Sequence, residues 1–393
     1  MSTPMNTRPD PHDLAQRLSK KHLIDGDLVD PHSGKTFDVI HPATLKVIGQ
    51  AAFGEAADVD AAVAAAKRAQ KAWGTLPARE RGRLVAECAR RLEDHKEELA
   101  RLVALETGKA LRTESRVEAG VLADAFTFYG GLASELKGEQ VPFHPDMLTV
   151  TIREPIGVVG AIIPWNVPMM LMAFKIAPAL VAGNSVVVKS AEEAPFAVLR
   201  VCEIMNEILP PGVLNILSGY GPECGAPLVA HPDVGKVTFT GSVETGKIIA
   251  RLAAEKLIPV TLELGGKSPM IVMEDADLER AVAGAVTGVR FTRQGQSCTA
   301  ASRIYVHESL HDRFVEALKA RVDAMVMGDP LEEATDIGTI VSKQQYERVL
   351  GYIAQGRADG GTALEASRLP DDPRLSEGYF VRPVIFTDLP ETS

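Results

Sequence analysis

Short apolar runs of β character recur through this sequence, and helical stretches separate them. The first four are Ser185–Lys189 (SVVVK), Val213–Leu217 (VLNIL), Val237–Thr240 (VTFT) and Val260–Leu264 (VTLEL). Helix-period patterns lie between them, among them Pro195–Ile208 and Gly246–Glu255. Strand-helix alternation of this kind implies right-handed crossovers and a parallel, doubly wound sheet. The rhythm returns at Met270–Met273, Leu278–Val289, Arg303–Val306 and a helix from Leu310 to Met325, with Phe314, Leu318, Val322 and Met325 on one face. The sequence therefore predicts two α/β domains joined near Gly265–Gly266. With 393 residues and 46% hydrophobic content, the chain can build one large or two ordinary domains.

The early half reads as helical. Asp58–Trp73 is alanine-rich and amphipathic, with Asp58 placed to cap it. A second helix is predicted from Ala78 to Thr107, with Leu84, Cys88, Leu92, Leu99 and Leu102 forming one buried stripe and Gly108 as its stop. From Gln140 to Val159 the pattern turns extended, as a hairpin or arm leaving the main body. The apolar run Gly157–Phe174 approaches membrane-spanning length, but Pro164, Asn166 and Pro168 interrupt it. It reads as a buried strand followed by a turn, so no membrane partner is expected. The formal charge of −10 argues against nucleic acid as partner. The N-terminus lacks the apolar core of a secretory signal. None of Cys88, Cys202, Cys224 and Cys298 forms a CxxC pair, and neither a zinc site nor a disulfide framework is expected. This composition fits a reducing, cytoplasmic setting.

Several segments have the composition of functional sites. FTRQGQSCTA, Phe291–Ala300, sets Cys298 among small polar residues, unlike a packing cysteine; it reads equally as a reactive thiol or an inert one at a helix end. FTGSVETG, Phe239–Gly246, ends a strand and opens a helix, a place where backbone N–H groups can hold an anion or simply turn the chain. SGYGPECG, Ser218–Gly225, is a second glycine-rich turn with the same ambiguity. In ELGGK, Glu263–Lys267, a carboxylate closes a β run. It is either a general base, its pKa raised in a partly apolar cleft, or a solvated residue before a turn. Asn166 either satisfies backbone groups in its turn or aims its amide into a site.

Taken together and in order, PWN at 164–166, VVVKSAE at 186–192, FTGS at 239–242, ELGGK at 263–267 and GQSC at 295–298 resemble the aldehyde dehydrogenase superfamily. ETGK at 106–109 and GYFVRP at 378–383 fit the same pattern. The resemblance implies a Rossmann-like NAD-binding domain (residues 1–135 and 156–264), an oligomerisation arm (136–155) and a catalytic domain (265–393). It implies oxidation of a small-molecule aldehyde to the carboxylic acid, with Cys298 as nucleophile, the Asn166 amide and the Cys298 N–H as oxyanion donors, and Glu263 as the base that activates water. For the cofactor it implies Lys189 and Glu192 at the adenosine ribose and Ser242 at the pyrophosphate. Gly221, Gly225, Gly241 and Gly246 take close-approach positions, and Pro164, Trp165, Phe239 and Leu264 also lie along the cofactor. A carboxylate at position 192 would repel a 2′-phosphate, favouring NAD over NADP. By analogy Met169, Met170, Phe291 and Arg293 line the aldehyde tunnel, although Arg293 also reads as a surface arginine in a salt bridge.

Family members continue for about a hundred residues beyond the point where this chain ends, ten residues past GYFVRP. That expectation sustains a second reading, a truncated, non-catalytic homologue that binds cofactor or a partner. A third keeps the enzyme but has coenzyme A accept the acyl group, which Glu263 opposes. The arm implies a homodimer or homotetramer where the C-terminal segment, which carries its usual partner strand, is present.

Overall fold

The computed structural model describes residues 10–390. Helix α1 (Pro11–Leu18) is capped by the Asp10 carboxylate, which accepts from the His12 N–H. Strands follow where the sequence reads as helical. β1 (His22–Ile24) and β2 (Asp27–Val29) turn about Asp25 and Gly26, at φ of 55° and 90°. Asp-Gly is the dipeptide that a two-residue turn with two positive φ angles favours. β3 (Thr36–Ile40) and β4 (Val47–Ala52) make a second antiparallel pair. Helix α2 (Ala56–Thr75) starts ahead of Asp58, and Asp58 caps from within the first turn by accepting the Glu55 N–H at 2.9 Å.

The long helix expected over 78–107 is two helices, α3 (Ala78–Asp94) and α4 (Lys96–Thr107). His95, at φ −100° and ψ 7°, breaks them. The predicted stripe nonetheless faces inward, with Cys88, Leu92, Leu99 and Leu102 buried and Leu84 half-buried. Gly108 ends α4 at φ 75°, as expected of a left-handed cap. After α5 (Arg116–Gly131), β5 (Gln140–Val141) and β6 (Thr149–Val150) form the projecting hairpin. It is shorter than the extended pattern, because Val158 and Val159 belong to the central strand β7 (Val158–Ile162).

From β7 the expected alternation runs through α6 (Pro168–Val181), β8 (Ser185–Lys189), α7 (Phe196–Asn206), β9 (Leu214–Leu217), α8 (Ala226–Ala230), β10 (Val234–Gly241), α9 (Val243–Ala254) and β11 (Val260–Leu264). The seven-stranded sheet has the order β11-β10-β7-β8-β9-β1-β2. β11 through β9 pair in parallel, and β1 and β2 extend the sheet antiparallel. Apolar clusters cover both faces, as a parallel sheet requires. The apolar run after Gly157 is thus a buried strand, a turn and the start of α6. Among the described residues, no helix is long and apolar enough to cross a membrane.

The second α/β unit holds β12 (Pro269–Val272), α10 (Leu278–Val289), β13 (Arg303–Val306), α11 (His311–Asp323), α12 (Lys343–Ala358), β14 (Thr362–Glu365) and β15 (Val384–Thr387). β12 and β13 pair in parallel, β14 and β15 antiparallel. Phe314, Leu318 and Val322 of α11 are buried in a cluster of its own, with Val282 and Ala285 of α10. Ala43, between β3 and β4, packs with Met327, Ile337, Leu375 and Phe380 and ties the N-terminal hairpin to this unit.

Candidate active site

Strand order reverses between β7 and β10, since β8 and β9 run to one side of β7 and β10 and β11 to the other. Open α/β sheets form a binding crevice outside the carboxyl ends of the strands at such a reversal. A cavity of about 700 Å³ lies there. The end of β7 and its following turn contribute Pro164 and Trp165; the end of β8 contributes Lys189 and, just beyond, Glu192. Gly221 and Gly225 come from the turn before α8, and Phe239, Gly241 and Ser242 from the end of β10. A Cβ on Gly221 or Gly225 would meet nothing within 4 Å, so their missing side chains open the cavity rather than relieve a clash. Gly246 and Leu264 are not among the lining residues. They touch each other: a Cβ at Gly246 would sit 2.7 Å from Leu264 Cδ2, so this glycine lets α9 pack on β11.

The lining fits a dinucleotide. α9 opens into the cavity, and the Ser242 hydroxyl caps it by accepting the Thr245 N–H at 3.1 Å. A helix start of this kind favours a pyrophosphate. Lys189 Nζ donates to Glu192 Oε2 at 3.3 Å, which puts an ammonium and a carboxylate beside each other for ribose hydroxyls. Ile248, Ile249 and Leu252 supply an apolar wall for a flat base.

Cys298 lies in the loop between α10 and β13. It is exposed, whereas Cys88, Cys202 and Cys224 are buried. Burial pushes the Cys88 and Cys224 thiols up to about 12, away from the reactive thiolate form. The loop winds through three left-handed residues, Arg290, Gln294 and Gly295, at φ 64°, 54° and 67°. A Cβ on Gly295 would meet no atom within 4 Å, so the backbone angle is what calls for glycine there. Gln296 anchors the loop: its amide donates to the Thr339 carbonyl at 3.3 Å and accepts the Val341 N–H at 3.1 Å. Asn166 joins it from the turn between β7 and α6, donating Nδ2–H to the Gln296 carbonyl at 3.1 Å. That carbonyl fixes which end of the amide faces the loop, since the reverse orientation would oppose two oxygens. Among the described residues, the Cys298 N–H finds no acceptor.

Glu263 is the penultimate residue of β11 and pairs in register with Thr240, which lines the cavity. It therefore stands at the carboxyl end of the sheet. Its side chain is exposed, as in the second of the two sequence readings, and not enclosed in an apolar cleft. Its charge acts on buried Lys175 of α6, whose ammonium donates to Thr238 Oγ1 at 3.2 Å. Desolvation brings the Lys175 pKa down to about 8, and Glu263 partly offsets that.

Residues 28–393 match the model of the aldehyde dehydrogenase family. The chain belongs to this family. It is 44% identical over 373 residues to the mitochondrial benzaldehyde dehydrogenase of Antirrhinum majus, covering 94% of this chain and 69% of that protein. It is 41% identical over 391 residues to the betaine aldehyde dehydrogenase of Agrobacterium fabrum, covering 99% and 77%. The NAD+ complex of an aldehyde dehydrogenase from Bacillus cereus superimposes with a TM-score of 0.92 at 40% identity, covering 96% of this chain and 77% of that one.

Three features of this aldehyde dehydrogenase lie outside the sequence reading. Gln344, Gln345 and Arg348 of α12 line the same cavity from the second unit. The signal was there: helical spacing sets residues 344 and 345 beside 348 on one face. Arg293 is buried, not a surface arginine, and pairs with Glu114 through Nε at 2.7 Å. Its charge is neutralised inside the fold and is not presented to a substrate. Met169 and Phe291 are likewise buried, Phe291 within the second unit's core. Finally, ETGK works from a distance. Glu106 accepts the N–H groups of Phe196 and Ala197 at 2.8 and 3.0 Å, and Lys109 pairs with Glu118, which accepts the Met169 N–H at 2.8 Å. Neither α6 nor α7 has a capping side chain of its own. Glu118 thereby holds the start of α6, and with it the turn that carries Asn166.

Proposed function

We propose that this aldehyde dehydrogenase oxidises an aldehyde to its carboxylic acid with NAD, through a covalent adduct on Cys298. The observation that carries the reading is the Asn166–Gln296 hydrogen bond. It joins the turn at the rim of the cofactor cavity to the loop of the one exposed cysteine. Cys298 Sγ attacks the carbonyl carbon and forms a thiohemiacetal. The Cys298 N–H and the second Asn166 amide hydrogen hold the oxyanion. NAD, when bound, supplies the acceptor that oxidises this adduct. Glu263 takes a proton from the water that attacks the resulting thioester; the C–S bond breaks, the acid leaves and the thiol is restored.

Pro164, Trp165, Lys189, Glu192, Gly221, Gly225, Phe239, Gly241 and Ser242 form the cofactor site, and the Gly246–Leu264 contact seats α9. Residues 1–135 and 156–264 are assigned to the cofactor domain and residues 265–393 to the catalytic domain, with 1–9 and 391–393 outside the described residues. Three apolar clusters whose buried residues each stay within one unit support the division, and a fourth, around Ala43, joins the two. Residues 136–155 are the arm of a homodimer or homotetramer, and four free cysteines fit a cytoplasmic setting. Family membership and the formed cavity favour this enzyme over a non-catalytic homologue. The test is Cys298→Ala with NADH formation and NAD binding measured side by side. The expected result is loss of NADH formation with cofactor binding retained. Turnover at the wild-type rate in this variant would overturn the assignment.

A further inference from the structure

Beside the cofactor cavity lies a smaller one of about 190 Å³, and Glu192 and Glu193 line both. The charged groups on the larger cavity are Lys189, Glu192, Glu193, Glu244 and Arg348, so carboxylates outnumber cations. Lys189 is already engaged by Glu192 at 3.3 Å. Among the described residues, Glu193 forms no ion pair. The other titratable groups around it on the smaller cavity are Asp38 of β3, Tyr220, Tyr379 and Lys343 at the start of α12. Lys343 is largely solvent-exposed and turns to Glu347 at 3.8 Å. Burial and the neighbouring Glu192 charge raise the Glu193 carboxyl to about 7, so it is mostly ionised at mildly alkaline pH.

We propose that Glu193 is a second specificity-determining residue, which excludes a 2′-phosphorylated dinucleotide from the site beside Glu192. Lys189 pairs with Glu192 and its charge also reaches Glu193, but one ammonium cannot neutralise two carboxylates. A ribose hydroxyl tolerates that surplus charge, whereas a phosphate dianion placed against it is repelled. Glu192 alone therefore does not set the preference. The inference rests on the NAD-binding reading of the cavity.

The experiment is equilibrium binding of NAD and of NADP at pH 8 without aldehyde, followed by calorimetry and by the fluorescence of Trp165 in the cavity wall. Wild type, Glu193→Gln, Glu192→Gln and the double variant are compared. The expected result is that Glu193→Gln shifts the ratio of the two dissociation constants towards NADP by about tenfold, the equivalent of roughly one weakened charge-charge contact. The double variant shifts it further than Glu192→Gln does. A purely structural role would weaken both cofactors alike and leave the ratio in place, and that result overturns the proposal. Should Glu193→Gln fail to fold, Glu193→Thr is measured in the same way. Failure of wild type to bind either dinucleotide would overturn the functional reading itself, whereas NAD binding with an unmoved ratio overturns only the role of Glu193.

Discussion

At Asn166, one amide hydrogen is committed to the Gln296 carbonyl, and the Oδ1 atom is buried without a partner. A buried acceptor left unpaired costs about 1–3 kcal/mol, so the side chain is held there against its own solvation. The proposed oxyanion role would use the other amide hydrogen. Asn166→Ala is expected to lower kcat by about 10²–10³, the usual effect of losing one oxyanion donor, and to leave NAD affinity near its original value. Steady-state kinetics beside a binding titration checks it; an unchanged kcat would remove Asn166 from the mechanism. At this scale the sequence was partly legible. The polar surroundings of Cys298 marked an unusual thiol, but they fitted an inert one equally well. Arg293 was illegible, because its partner Glu114 lies 179 positions away and only the fold brings them together.

Among the elements, α6 and α7 borrow their N-terminal caps from buried glutamates of the α4–α5 region. No local pattern announces such a cap, since capping signals in sequence sit within one helical turn. Glu106→Ala orphans the N–H groups of Phe196 and Ala197, and each orphaned donor costs about 1–3 kcal/mol. The expected outcome is a lower denaturant midpoint at unchanged m-value. Charge adds a pH signature. Burial outweighs the two backbone hydrogen bonds and raises the Glu106 carboxyl from 4.5 to about 8, so the folded state binds this proton more tightly than the unfolded one. The stability contributed is fully present below about 4.5 and lost as pH rises through about 8. Denaturation midpoints measured across that window should fall with pH in the wild type and fall less in Glu106→Gln; parallel curves would contradict the assignment. Strand bounds were most legible in the apolar run of β8 (SVVVK) and in the alternating pattern of β11 (VTLEL). The three-residue strands β1 and β2 were too short for a period to register, and their one clear mark was Asp25-Gly26.

Across the whole molecule, the alternation of strands and helices foretold the sheet, while the reversal between β7 and β10 emerged only when strand order was known. That reversal gathers segments from residue 162 to residue 348 around one cavity, which is why the glycine-rich turns looked unremarkable one at a time. The hairpin of β5 and β6 stands apart from this body. Phe143 and Leu148 are 74% and 75% exposed, and Ile152 is 75% exposed at its base. Apolar side chains bared together on a projecting element mark a surface that another protein covers. A second copy of this chain is the partner that the homo-oligomer reading requires. Phe143→Asp with Leu148→Asp would place two carboxylates in that contact, where they must be desolvated without a cation. Both residues are exposed in the single chain, so its own fold should withstand the change. Sedimentation velocity at micromolar concentration is expected to show an oligomer for the wild type and a monomer for the double variant, with circular dichroism unchanged. An oligomer that persists in the variant would place the interface elsewhere on the molecule.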